Sequence, residues 1–144
     1  MPRAPQTFAN HVRIVPGFHY GVLGIFVLNL LWSLYRLWRT PGGDAAVQAL
    51  VAAALLGLFF YARMFALTVQ NRVIRLEMRL RLGELLPEDV RGRVGELRTG
   101  QLIALRFASD QELPELVRET LAERLPAPAI KRKIRDWQAD HLRA

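Results

Sequence analysis

Cysteine is absent from the 144 residues, which excludes disulfides, thiolate catalysis and cysteine-based metal sites. The absence fits either side of a membrane and leaves the redox compartment open. Lysine is scarce as well. Only Lys131 and Lys133 occur, so the net charge of +7 is carried almost entirely by arginine. Asp, Glu, Lys and Arg are missing from Ile14 to Tyr35, and missing again from Ala45 to Ala62. Catalytic signatures are lacking too: there is no P-loop, G-x-G-x-x-G or G-x-S-x-G. The three histidines form no H-x-x-x-H or H-E-x-x-H pair, and zinc sites ordinarily need three or four ligands with such local pairs. The spacing therefore calls for no metal and no cofactor.

What is present divides sharply. Residues 63 to 144 carry 16 of the 20 Lys and Arg and 12 of the 13 Asp and Glu. The first apolar run has 22 residues, with His19, Tyr20 and Tyr35 as its only titratable interruptions. At about 1.5 Å per residue it reaches roughly 33 Å, enough for a hydrocarbon core of about 30 Å. The second has 18 residues with Gln48 as its one strongly polar group, and Met64 to Leu67 extend it while Arg63 snorkels. Neither run has the polar stripe of a helix in a soluble core. The first is too long for a signal-peptide core, and no A-x-A site directly follows it.

The expected fold class is all-α: a two-helix transmembrane hairpin followed by a small helical lobe. The expected segments are 1–13, a first span at 14–38, a loop at 39–44, a second span at 45–66, and a basic domain at 67–144. Pro41, Gly42 and Gly43 stop the first helix, and Asp44 is placed to cap the second. So short a link forces both flanking segments to one side. Arg3, Arg13, Arg63, Arg72 and Arg75 flank that side, against Arg36 and Arg39 on the other. The excess expects both termini in the cytoplasm, the protein sitting in a cell (inner) membrane. Trp32, Tyr35 and Trp38 would form the far aromatic belt, and Phe59, Phe60 and Tyr61 the near one. Ala45, Ala49, Ala53 and Gly57 recur every four residues, and Gly17 and Gly21 do the same in the first helix. Small residues at that spacing allow the close approach on which helix association in lipid depends, within the hairpin or between copies.

Beyond Arg63 two periods compete. Ile74, Leu76, Met78, Leu80 and Leu82 alternate as in a strand, whereas Ala66, Val69, Val73, Leu76 and Leu80 follow a helical stripe. Leu, Met, Arg and Glu favour helix, and a lone strand would lack a partner. The second span is therefore expected to run on as helix to Gly83–Pro87. A short helix is expected over Glu88–Leu97, then one capped by Thr99 through Phe107. Ser109-Asp110-Gln111-Glu112 reads as a capping box opening a helix that carries Leu113, Leu116, Val117, Leu121 and Leu125. Arg106 is expected to pair with Asp110. Pro126 and Pro128 read as a linker. The last helix is expected from Ala129, with Ile130, Ile134 and Trp137 on one face and Lys131, Arg132, Lys133 and Arg135 on the others.

Asn10-His11 with Arg13, then Ala66-Leu67 with Gln70-Asn71-Arg72, then Ile74 to Arg79 form one set of matching residues. Gln101 to Asp110 with Glu112-Leu113 is the most specific, and Ile130-Lys131, Ile134, Trp137, Ala139-Asp140-His141 and Arg143 complete it. In these the chain resembles the domain of unknown function 6526 family, small bacterial membrane proteins. The resemblance implies the two-span layout and a helix over residues 66 to 82. It implies no activity.

The leading expectation is a non-enzymatic, membrane-anchored helical module that binds a protein partner or associates with itself. The lipid bilayer and its anionic head groups are expected to meet its basic residues, and no nucleic acid is expected. Gln101, Arg106, Ser109, Asp110, Lys131, Arg132 and Trp137 are the candidate interaction residues. An oligomeric transport component would use His19, Asn29 and Gln48. An enzyme acting on lipid head groups would hold phosphate at Arg106.

Overall fold

A computed structural model describes residues 7–8 and 15–139. Arg3, Arg13, His11 and the Asp140-His141 pair lie outside the described residues. The elements are a π-helical turn (Gly17–Val22) leading into α1 (Leu23–Arg39), then α2 (Gly43–Leu85), α3 (Glu88–Arg91) and a 3-10 turn (Val94–Glu96). α4 (Thr99–Leu105), α5 (Leu113–Glu123) and α6 (Ala127–Lys133) follow. The fold is all-helical, and the helices Gly17–Arg39 and Gly43–Leu85 are long and apolar enough to cross a membrane. Two compact units form. One is Ile14–Leu67; the other contains Thr68 onward with the described N-terminal residues.

In the first unit, α1 and α2 turn back on each other through Thr40–Gly42, shorter than the 39–44 expected. Thr40 leaves the helical region, and its Oγ1 donates to the Arg36 carbonyl at 3.0 Å. Asp44 sits inside the first turn of α2 rather than at its cap, where the helix dipole still favours a carboxylate.

The small residues expected at the helix seam divide: Ala45 and Ala49 are buried, whereas others of the set are not. Buried or half-buried positions are Leu23, Gly24, Phe26, Leu30, Ser33 and Leu37 on α1, and Ala45, Ala46, Ala49, Ala52, Leu55, Leu56, Gly57 and Phe59 on the facing part of α2. Leu23, Phe26, Leu30, Ser33 and Leu37, and Ala45, Ala49, Ala52, Leu56 and Phe59, form the central line of each face, with steps of three and four. A strict four-residue step instead drifts by about 40° each time around a helix of 3.6 residues per turn. Ala53 is accordingly exposed, Gly57 only half-buried, and Gly17 and Gly21 are exposed with open space where a Cβ would stand. Phe59 belongs to the seam and not to an aromatic belt. Its ring stacks on Phe18 with centroids 4.3 Å apart and meets Phe26 edge-on at 6.3 Å. Trp32, Tyr35 and Trp38, and Phe60 and Tyr61, are exposed. So are Ile25, Leu28, Leu50 and Leu58, each more than 60 %.

In the second unit, the C-terminal half of α2 supplies Ile74, Met78 and Leu82 to a core completed by α3 to α6. The helical reading of 66–82 holds, since α2 is unbroken to Leu85. The core stripe, however, is the other one: Val69, Val73, Leu76 and Leu80 point outward. Leu82, Leu86, Leu102, Leu105, Phe107, Leu113, Val117 and Ile130 are all but sealed from solvent. Burying each contributes about 1.5–3 kcal/mol. Residues 88–97 split into α3 and a 3-10 turn around Gly92, instead of one helix. α6 begins at Ala127, with Pro126 as its cap and Pro128 in its first turn. The two prolines therefore start a helix, a place where a missing N–H costs nothing, and do not form a linker.

Candidate functional site

Thr99 is not a cap. Arg98 holds that place in an extended conformation, and its amide donates to Gln101 Oε1 at 2.8 Å. The Gln101 amide nitrogen in turn donates to the Leu125 carbonyl at 2.9 Å. Gln101 thus ties the start of α4 to the chain beyond α5, which is a structural role.

The expected capping box does not form either. α5 begins at Leu113 with Pro114 in its first turn, and no side chain caps it. The residues of the box are used by the tail instead. The Ser109 amide donates to the Asp136 carbonyl at 3.2 Å, and Glu112 Oε2 accepts from the Arg135 amide at 3.2 Å. Gln138 donates to the Phe107 carbonyl at 2.7 Å, completing a single antiparallel bridge between Ala108 and Trp137. The last helix therefore ends at Lys133, and Ile134 is extended. Trp137 does not continue the α6 face. It returns beside Phe107, ring centroids 5.1 Å apart, and its Nε1 donates to the Ile134 carbonyl at 3.2 Å.

Six of the candidate residues meet in or beside this junction. The Arg106 guanidinium lies over the Phe107 ring at 4.6 Å, and Lys131 Nζ approaches the same ring at 5.6 Å, the geometry of cation–π attraction. Trp137, Ser109 and Asp110 border it, and Arg132 reaches the Phe8 ring at 5.6 Å. The expected Arg106–Asp110 ion pair is replaced. Asp110 is held by Arg81, whose Nε donates to Oδ1 at 2.8 Å. Arg81 also donates to the Arg106 carbonyl at 3.2 Å and the Ala108 carbonyl at 2.7 Å. One guanidinium so satisfies three acceptors that follow α4.

Sequence reasoning missed Arg81. Its signal is positional, since it stands seven residues after Ile74 and beside Leu82 on the buried stripe of α2. An arginine among core positions needs polar partners, and the chain end of α4 supplies them.

The junction is a clasp. Phe107 is fully buried, so its ring offers no open face for stacking a base. Alongside runs a groove of about 550 Å³ between α5 and α6, lined by Glu112, Glu115 and Glu119 on one wall and Arg132, Lys133 and Arg135 on the other. Lys133 is paired with Glu119 and lies 4.0 Å from Glu123. The hydrogen bond to Glu119, with its negative charge, raises the Lys133 ammonium above its ordinary range. With three carboxylates facing three cations, the groove has no net pull on an anion.

In the first unit, Gln48 Oε1 accepts from Arg36 at 3.0 Å, and His19 Nδ1 lies 3.0 Å from the Val15 carbonyl. Asn29 is exposed, and ten residues of helix separate it from His19 by about 15 Å. These three polar groups do not converge on one site. Among the described residues, no group of three or more His, Asp or Glu is placed to hold a metal ion.

No curated protein and no solved structure matches the chain. A family model does, over residues 1–144, and the chain belongs to that family of unknown function, DUF6526.

Proposed function

We propose that this chain is a multi-pass membrane protein, anchored by the α1–α2 hairpin, whose helical lobe is a non-enzymatic interaction module at the cytoplasmic leaflet of a bacterial inner membrane. One observation carries the anchor. In both long helices the large apolar side chains away from the seam stand in the open, with Leu28 and Leu50 more than two-thirds exposed. A soluble hairpin would have to hide them, since water-facing apolar patches of that extent mark contact with lipid or another protein. Backbone amides satisfied within each helix are what a hydrocarbon surrounding demands.

The arginine excess at the open end of the hairpin supports placing both flanking segments in the cytoplasm. Arg63 and Arg75 follow the second span and meet anionic head groups there, each charge near the surface contributing about 1 kcal/mol. The candidate residues of the lobe are spent on holding α4, α6 and the tail together, so an interaction role falls to the rest of its surface. What remains outward is surface for a protein partner or a second copy.

Affinity purification of the full chain from mild detergent tests the reading. The expected result is a stoichiometric protein partner or a homo-oligomer. A solitary monomer, with full recovery and no companion, would overturn the interaction role.

A further inference from the structure

The lobe consumes one face of α2 and leaves another bare. Ile74, Met78 and Leu82 are buried, whereas Val69, Val73, Leu76 and Leu80 stand exposed, Leu76 by 61 % and Leu80 by 63 %. Their steps of four, three and four are those of a coiled-coil seam, with Val69 and Leu76 at d positions and Val73 and Leu80 at a positions. Nothing among the described residues covers this stripe.

The charges beside it identify its occupant. In this register Arg72 and Arg79 fall at g positions, and Glu77 and Glu84 at e positions. All four are exposed, and among the described residues none of them forms an ion pair. In a parallel pair of identical helices each g residue faces the e residue five positions on in its partner. Arg72 then meets Glu77 of the second copy, and Arg79 meets Glu84. In an antiparallel pair g faces g and e faces e, which sets arginine against arginine and glutamate against glutamate. The pattern is therefore complementary to itself in one orientation and repulsive in the other.

We infer that α2 pairs in parallel with α2 of a second copy through Val69, Val73, Leu76 and Leu80, with Arg72–Glu77 and Arg79–Glu84 as the inter-chain ion pairs. The inference rests on the membrane-anchored reading, which makes every copy enter the bilayer in the same orientation. Two heptads are short for an isolated coiled coil. Here the helix is already formed by the lobe and the span, and confinement to the bilayer raises the effective concentration of the partner.

The absence of native cysteine gives a direct test. Full-length Leu76→Cys and Arg75→Cys chains, one on the seam and one off it, are oxidised in native membranes, and the same membranes are extracted with alkaline carbonate. The expected result is a disulfide-linked homodimer from Leu76→Cys and about tenfold less from Arg75→Cys. Adding Arg72→Glu with Arg79→Glu should bring the Leu76→Cys dimer down to the Arg75→Cys level, and adding Glu77→Arg with Glu84→Arg should restore it. Equal crosslinking at both positions, indifference to charge reversal, or a Leu76→Cys adduct with a different protein would each overturn the inference. In those cases a chain retained in the carbonate pellet leaves the anchor intact. A chain released to the supernatant defeats the anchor, and the pairing with it.

Discussion

Arg81 and Asp110, 29 positions apart, are joined by a 2.8 Å hydrogen bond from Nε to Oδ1, and this contact is the weaker part of what Arg81 does. Asp110 has a side chain 64 % exposed, whereas that of Arg81 is 26 % exposed. Surface ion pairs contribute about 0–1 kcal/mol. A charged donor to a carbonyl contributes roughly 1.5–3 kcal/mol, and Arg81 serves two carbonyls.

Two substitutions separate these contributions. Asp110→Asn is expected to lower stability by less than about 1 kcal/mol. Arg81→Met keeps the stem but strands the Arg106 and Ala108 carbonyls, and should cost roughly 2–4 kcal/mol. Urea unfolding of the detergent-solubilised protein, followed by the fluorescence of Trp137 in a chain with Trp32 and Trp38 replaced by Phe, checks both. Equal losses would mean that the ion pair dominates.

Thr120 offers a change in the other direction. The residue is fully buried in α5, and its hydroxyl has no hydrogen-bond partner among the described residues. An unsatisfied buried hydroxyl costs about 1–3 kcal/mol. Thr120→Val keeps the shape and removes the polar atom, so it should stabilise the lobe by roughly 1 kcal/mol, read as a raised thermal midpoint. A lowered midpoint would show that the hydroxyl is satisfied.

Two exposed ion pairs set opposite pH responses. The hydrogen bond and charge of Glu119 raise Lys133 above its ordinary 10.5. Its contribution is full below 10.5 and fades as pH rises through the folded value. The hydrogen bond from Arg93 holds Glu96 below its ordinary 4.5, so that contribution is present above 4.5 and fades as pH falls through the depressed value. The stability difference between wild type and Lys133→Met should therefore be constant near neutrality and close only above 10.5. The Glu96→Gln difference should close only below 4.5. Unfolding midpoints across pH check both, and a gap that closes near neutrality would contradict the assignment.

The sequence made the local rules of this fold legible. Apolar length placed both long helices, and helix formers outweighed the strand-like alternation of residues 74–82. What it could not show is which of two stripes on α2 turns inward. Val69, Val73, Leu76 and Leu80 look as core-like as Ile74, Met78 and Leu82 until α3 to α6 choose between them. The same competition undid the capping box. Ser109 and Glu112 carry the right chemistry at the right spacing, but the amides and carbonyls of residues 135–138 arrive from the far end of the chain and take it. Trp137 was legible as a partner of Ile130 and Ile134 on one helix face but not as part of a bridge beside Phe107, because Ile134 leaves the helix only when the tail docks beside Ala108. The four-residue repeat of small residues is followed in part: Ala45 and Ala49 are buried, while Ala53 is exposed because a four-residue step drifts around a helix of 3.6 residues per turn.

Cysteines placed singly at Gly42, between the two long helices, and at Gln111, on the lobe, report whether hydrocarbon lies between them. In intact cells a membrane-impermeant thiol reagent should label the Gly42→Cys chain and leave Gln111→Cys untouched until the membrane is opened. If both positions react alike in intact cells, or both only after opening, the hairpin does not span the bilayer.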